Sequence, residues 1–139
     1  MLCHVDNSGV DKVNCVKAFK EAFTLAQKNK SDIFIFVSKL GIEEEAIAQS
    51  FNRAIAKELS KKRVISFNDT PIKIHLVHKG TLSAITKNGI ILGMYPPIKD
   101  FQAIISDVRF KDNDKIFLCW NNEAELGDYL SQNPTSILL

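Results

Sequence analysis

Residues 90–139 read IILGMYPPIKDFQAIISDVRFKDNDKIFLCWNNEAELGDYLSQNPTSILL, and their hydrophobic pattern alternates between two periods. Ile90 to Tyr95 is apolar apart from Gly93, as expected of a strand covered on both faces. Pro96-Pro97 ends that run and suits the start of a helix. Ile98, Phe101, Ile104, Ile105 and Val108 then recur at three- and four-residue steps, which predicts one helical face. Asp112-Asn113-Asp114 reads as a turn, and Lys115 to Trp120 as another strand with Ile116-Phe117-Leu118-Cys119 at its centre. Asn121 or Asn122 caps the next helix. Its first turn holds Glu123 and Glu125, and Leu126, Tyr129 and Leu130 form its inner face. Asn133-Pro134 breaks it, and Ser136-Ile137-Leu138-Leu139 offers a last strand. Strand, helix, strand, helix, strand is a run of βαβ units, which implies parallel strands and right-handed crossovers.

The earlier residues extend the same alternation. Leu2 to Val5 is a short strand, followed by a turn at Asp6-Asn7-Ser8-Gly9. From Asp11 to Lys28, Val13, Val16, Phe19, Phe23 and Ala26 mark an amphipathic helix. Ile33-Phe34-Ile35-Phe36-Val37 has the continuous apolar character of a central parallel strand. A second helix is expected with Glu43-Glu44-Glu45 in its first turn, and with Lys57, Lys61, Lys62 and Arg63 at or just beyond its end. That charge order complements the helix dipole. Its buried face runs through Ile47, Phe51, Ala54, Ile55 and Leu59. Val64 to Phe67 and Ile72 to His78, joined by Asn68-Asp69-Thr70-Pro71, form a hairpin or a bent strand.

Residues 81–86 are open to two readings. They suit one or two helical turns capped by Thr81, or a strand between tight turns at Lys79-Gly80 and Asn88-Gly89. The expected architecture is a single α/β domain over residues 1–139, a Rossmann-like three-layer sandwich. Its sheet is mostly parallel with five to six strands, and an antiparallel hairpin around residues 64–95 is the main alternative.

Composition narrows the function classes. A length of 139 residues suits one domain, and a 45% hydrophobic share is too high for a disordered chain. With 18 Lys+Arg against 16 Asp+Glu the net charge is +2, which gives no support to a nucleic-acid binder. The basic cluster Lys61-Lys62-Arg63 is accounted for by a helix end. No apolar run approaches the ~20 residues of a membrane span. Met1-Leu2-Cys3-His4-Val5-Asp6 lacks a basic leader followed by an apolar stretch. Cys3, Cys15 and Cys119 show no CxxC spacing. A cytoplasmic protein without disulfides is therefore expected.

In open parallel sheets, ligands bind beyond the carboxyl ends of the strands. The polar and aromatic residues that follow the expected strands are therefore the candidate ligand-binding set: Asp6, Ser38, Lys39, His78, Lys79, Thr81, Tyr95, Trp120 and Asn121. Within it, His78-Lys79-Gly80-Thr81 is the best anion candidate. A glycine before a Thr-capped helix would point free N–H groups at a phosphate, with Lys79 adding charge. There is no GxxxxGK[ST], no GxGxxG and no GxSxG. His75 and His78 are three apart on a strand and diverge. Neither a metal nor a cofactor is expected, and no catalytic residue is assigned.

The opening third, with His4-Val5-Asp6 at a strand end, a long helix and Asp32-Ile33-Phe34-Ile35-Phe36-Val37, resembles the start of universal stress proteins. That resemblance implies a nucleotide site with Asp6 near the adenine. The chain departs from the family after its fourth strand, where Gly93-Met94-Tyr95-Pro96-Pro97 replaces a glycine-rich phosphate loop.

The leading expectation is a small ligand-binding or regulatory domain for a nucleotide or other phosphorylated metabolite. The alternative is an interaction or homo-oligomerisation module without catalysis. A phosphate-ester hydrolase or transferase stands third, since no nucleophile and base occur in a recognisable motif.

Overall fold

The structure, a computed structural model, describes residues 1–5, 12–38, 47–48, 51–67, 69–119 and 123–139. In chain order the elements are β1 (Leu2–Val5), α1 (Lys12–Asn29), β2 (Ile33–Phe36), α2 (Arg53–Lys62), β3 (Val64–Ser66) and β4 (Lys73–Val77). After a 3-10 helix at Lys79–Ala84 come β5 (Ile90–Met94) and α3 (Ile98–Ile105). A 3-10 turn at Val108–Phe110 then leads to β6 (Lys115–Leu118), α4 (Glu123–Gln132) and β7 (Ile137–Leu138).

The strands form one sheet in the order β3-β4-β2-β5-β6-β1-β7. All neighbours are parallel except β3 and β4, which form the antiparallel hairpin. The sheet has seven strands rather than five or six because its two ends carry very short ones, three residues in β3 and two in β7. The apolar strands occupy the middle: β2, β5 and β6 are buried at every position. Register places Phe34 between His75 of β4 and Ile91 of β5, and Ile116 between Cys3 of β1 and Leu92 of β5.

Alternation along each strand splits the core into two layers. Ile33, Ile35, Ile74, Leu92 and Ile116 meet α1 and α2 on one face. Phe34, Phe36, Ile91 and Phe117 meet α3 and α4 on the other. The buried face of α1 is Cys15, Ala18, Phe19, Ala22, Leu25 and Ala26. Of the expected face, Phe19 and Ala26 are buried and Phe23 packs against the core, whereas Val13 is 69% exposed. The physical reason is close approach: Ala18, Ala22 and Ala26, four apart, let the helix backbone lie near the sheet. The opposite face is aromatic. Phe101 and Phe117 stack at 5.2 Å, and Phe117 and Tyr129 at 4.6 Å. Gly93 makes room for that stack, because a Cβ there would lie 2.5 Å from the Phe101 ring.

Two helices differ from expectation. α2 starts at Arg53, where Asn52 accepts the Ile55 N–H at 2.8 Å, so it is not continuous with the helical residues Ile47 and Ala48. An asparagine side chain competing for main-chain donors favours a fresh cap over an uninterrupted helix. Glu43-Glu44-Glu45 lie outside the described residues, whereas Lys61 and Lys62 do end α2. α3 stops at Ile105, which leaves Val108 off its apolar face and 82% exposed.

Polar side chains close the amino ends of β5, β6 and β1. Asn113 Nδ2 donates to the carbonyls of Thr86 at 2.9 Å and Gly89 at 2.7 Å. Buried Lys115 donates to the carbonyls of Phe110 and Asn113, and burial pushes its pKa down against the pull of Asp114 and Asp112. Asp114 takes the Met1 ammonium at 2.8 Å and the Asn29 amide at 2.9 Å. At the β7 edge, Ser136 Oγ shares hydrogen bonds of 2.8 Å with both His4 Nδ1 and Tyr129 Oη. Burial pushes the Tyr129 hydroxyl up to about 12.

Candidate functional site

The carboxyl ends of β4, β2 and β5 are neighbours, so the residues that follow them share one rim. After β2 the next described helix, α2, packs on the α1 face, whereas α3 after β5 packs on the opposite face. Connections that leave adjacent parallel strands toward opposite faces are the arrangement that opens a ligand crevice in doubly wound sheets.

Three side chains converge there. Ser38, two residues beyond β2, donates its hydroxyl to Asp100 Oδ2 at 2.8 Å. Lys79, two residues beyond β4, places Nζ 2.7 Å from Asp100 Oδ1. Asp100 itself stands in the first turn of α3, which follows β5. Burial pushes the Asp100 pKa up, but the hydrogen bonds from Lys79 and Ser38, with the charges of Lys79 and Lys99, outweigh it and hold the carboxyl below its usual value. Stabilising the carboxylate makes it a weaker base toward the Ser38 hydroxyl. The arrangement is suited to binding, with a hydroxyl and an ammonium aimed at one anionic group.

The 3-10 helix resolves the two readings of residues 81–86 in favour of a helical segment, which runs Lys79–Ala84. Its cap is His78 rather than Thr81. His78 Nδ1 accepts the Gly80 N–H at 3.1 Å, and Thr81 Oγ1 accepts the His78 N–H at 3.0 Å. The Gly80 donor expected to face a phosphate is thus satisfied within the turn, and the cationic contribution of this segment comes from the Lys79 side chain.

Tyr95 also differs from the role of a cover over a ligand. It is 6% exposed, its hydroxyl lies 3.0 Å from Cys15 Sγ, and its φ of 54° places it in the left-handed region before Pro96-Pro97. It joins the end of β5 to the first turn of α1. Asp6, Lys39, Trp120 and Asn121 lie outside the described residues.

The rim residue that sequence reading missed is Asp100. It does not follow its strand directly but comes a helical turn later, inside α3. Its signal was present as an acid in the first turn of a helix that begins at a strand's carboxyl end. Among the described residues, no three His, Cys, Asp or Glu side chains gather as a metal site. No described helix is long and apolar enough to cross a membrane.

Fold and rim together define an α/β protein with a mostly parallel sheet and a polar cluster at the carboxyl ends of its strands. No protein-family model, no curated protein and no solved structure matches the chain.

Proposed function

We propose that the chain is a ligand-binding domain that takes a phosphorylated small molecule, nucleotides included, at the carboxyl ends of β2, β4 and β5. The observation that carries this reading is the convergence of Ser38 Oγ and Lys79 Nζ on the Asp100 carboxylate. The Asp100 carboxylate is itself an anion held by these two donors. A phosphate dianion carries more charge and more acceptor oxygens than a carboxylate, so it competes for the same two donors. Thermal shifts against nucleotides, sugar phosphates and inorganic phosphate test the idea, together with mass spectrometry of ligand released from the purified protein. A concentration-dependent rise in melting temperature is expected, and Lys79→Ala removes most of it. No shift at millimolar ligand, or a shift that Lys79→Ala leaves unchanged, overturns the reading.

A second reading, self-association without a small-molecule site, is favoured by β7. That strand stands at the end of the sheet with Ile137 51% and Leu138 57% exposed. Edge strands of this kind pair readily with other chains. Light scattering after size exclusion separates the two readings, since a strict monomer removes the second.

A further inference from the structure

The opposite end of the sheet holds a cavity that the rim does not use. About 610 Å³ opens between the last turns of α1 and the turn that leads into β4. Ala26, Gln27 and Lys30 wall one side, and Asp69, Pro71 and Ile72 the other. This volume falls within the usual span of small-molecule sites, roughly 300–1,000 Å³. A smaller hollow of about 330 Å³ adjoins it and shares Lys30, Ser31 and Asp32.

Some polar groups of the walls are already engaged. Asp32 accepts the Lys73 N–H at 3.0 Å and lies 2.8 Å from His75 Nε2. The Thr70 hydroxyl donates to the Phe67 carbonyl at 2.6 Å. Gln27, the buried Ser31 hydroxyl, Lys30 and Asp69 remain, and the last two carry the charge. Both are exposed, and neither forms an ion pair among the described residues. Lys30 follows the last residue of α1 with φ 51°, so its backbone turns away from the helical path there. Besides the engaged Asp32, the cavity therefore presents one cation and one anion without a charged partner among the described residues, beside exposed Pro71 backed by buried Ala26 and Ile72.

We propose that this cavity binds a small zwitterion with an apolar body, of which an apolar free amino acid is the type. Its carboxylate meets Lys30 Nζ, its ammonium meets Asp69, and its side chain covers the apolar surface. A ligand with a single charge leaves one of the two groups unmatched, so both charges are required for full affinity. The inference is independent of the phosphate site, which lies at the other end of the strands.

Amide NMR of the full chain, titrated with L-leucine into the millimolar range, tests it. Isocaproate and isoamylamine serve as the analogues lacking the ammonium and the carboxylate. Saturable shifts confined to residues 26–32 and 69–72 are expected. Each analogue, and each of the variants Lys30→Gln and Asp69→Asn, is expected to bind about three- to fivefold more weakly, as befits exposed ion pairs. Gln27→Trp, on the exposed surface of α1, fills the cavity and abolishes the shifts while the amides of the rim stay in place. The proposal is overturned by an absence of saturable shifts, by equal binding of leucine and its analogues, by shifts centred on the rim, or by binding that survives Gln27→Trp.

Discussion

The two ends of the sheet use the same kinds of side chain to different effect. At the amino ends of β5, β6 and β1, Asn113 and Lys115 are 2% and 6% exposed, and their donors are spent on main-chain carbonyls. At the carboxyl ends of β2, β4 and β5, Lys79 is exposed and shares the single carboxylate of Asp100 with Ser38. A lysine bonded to buried carbonyls cannot be released without leaving those carbonyls unsatisfied. An exposed lysine bonded to a partly buried carboxylate exchanges one anion for another at lower cost, because water and ligand both reach its ammonium. The first arrangement closes a structure and the second leaves donors available, which is why the candidate site is placed at the rim.

The comparison breaks most readily at Asn113. Asn113→Ala leaves the carbonyls of Thr86 and Gly89 without their side-chain donor, so a loss of about 3 kcal/mol in urea unfolding is expected. A loss below about 1 kcal/mol would mean that this end is not held by its polar network.

Acid sharpens the contrast. Burial pushes the Asp114 pKa up, but the Met1 ammonium and Asn29, with the charge of Lys28, outweigh it and hold the carboxyl below its usual value. A carboxyl with a depressed folded pKa stabilises the protein above its unfolded pKa, about 4, and that stability disappears as pH falls through the folded value. Asp114→Asn is expected to cost about 1 kcal/mol at neutral pH and to flatten the stability profile below about pH 4. Unfolding curves across that range measure both effects, and an unchanged acid limb would remove Asp114 from the account.

The smallest stability effect belongs to the rim. Asp100→Asn is expected to change stability by less than about 1 kcal/mol, since Lys79 is 63% exposed and Asn keeps an acceptor for Ser38, although residue 100 itself is only 13% exposed. The same substitution frees Ser38 and Lys79 from a competing anion, so it tightens binding of a phosphorylated probe severalfold in calorimetry. Weaker binding would show that Asp100 contacts the ligand rather than holding its place.

Much of this organisation was legible in the residues themselves. The apolar runs at Ile33 to Phe36 and Ile90 to Met94 became central strands, and Lys79 and Ser38 came to the same rim as expected. Asp100 was not legible because it reaches the rim from within a helix. On α1, Phe19 and Ala26 were legible as buried, but size suggested Val13 where packing against a sheet selected the small residues Ala18 and Ala22. The contact between Cys15 and Tyr95 joins residues 80 apart, beyond any local pattern.

By itself the sequence determined most of the helices and strands, residues 81–86 and the start of α2 excepted, and that most strands are parallel, because periodicity and crossover geometry are local properties of the chain. The tertiary structure alone decided that β2 lies between β4 and β5, and so which donors meet. Any of several uniformly apolar strands can occupy the centre of a parallel sheet, and only the packing of both faces at once selects their order. That order brings Ser38, Lys79 and Asp100 together at one rim and leaves Lys30 and Asp69 beside a cavity at the other.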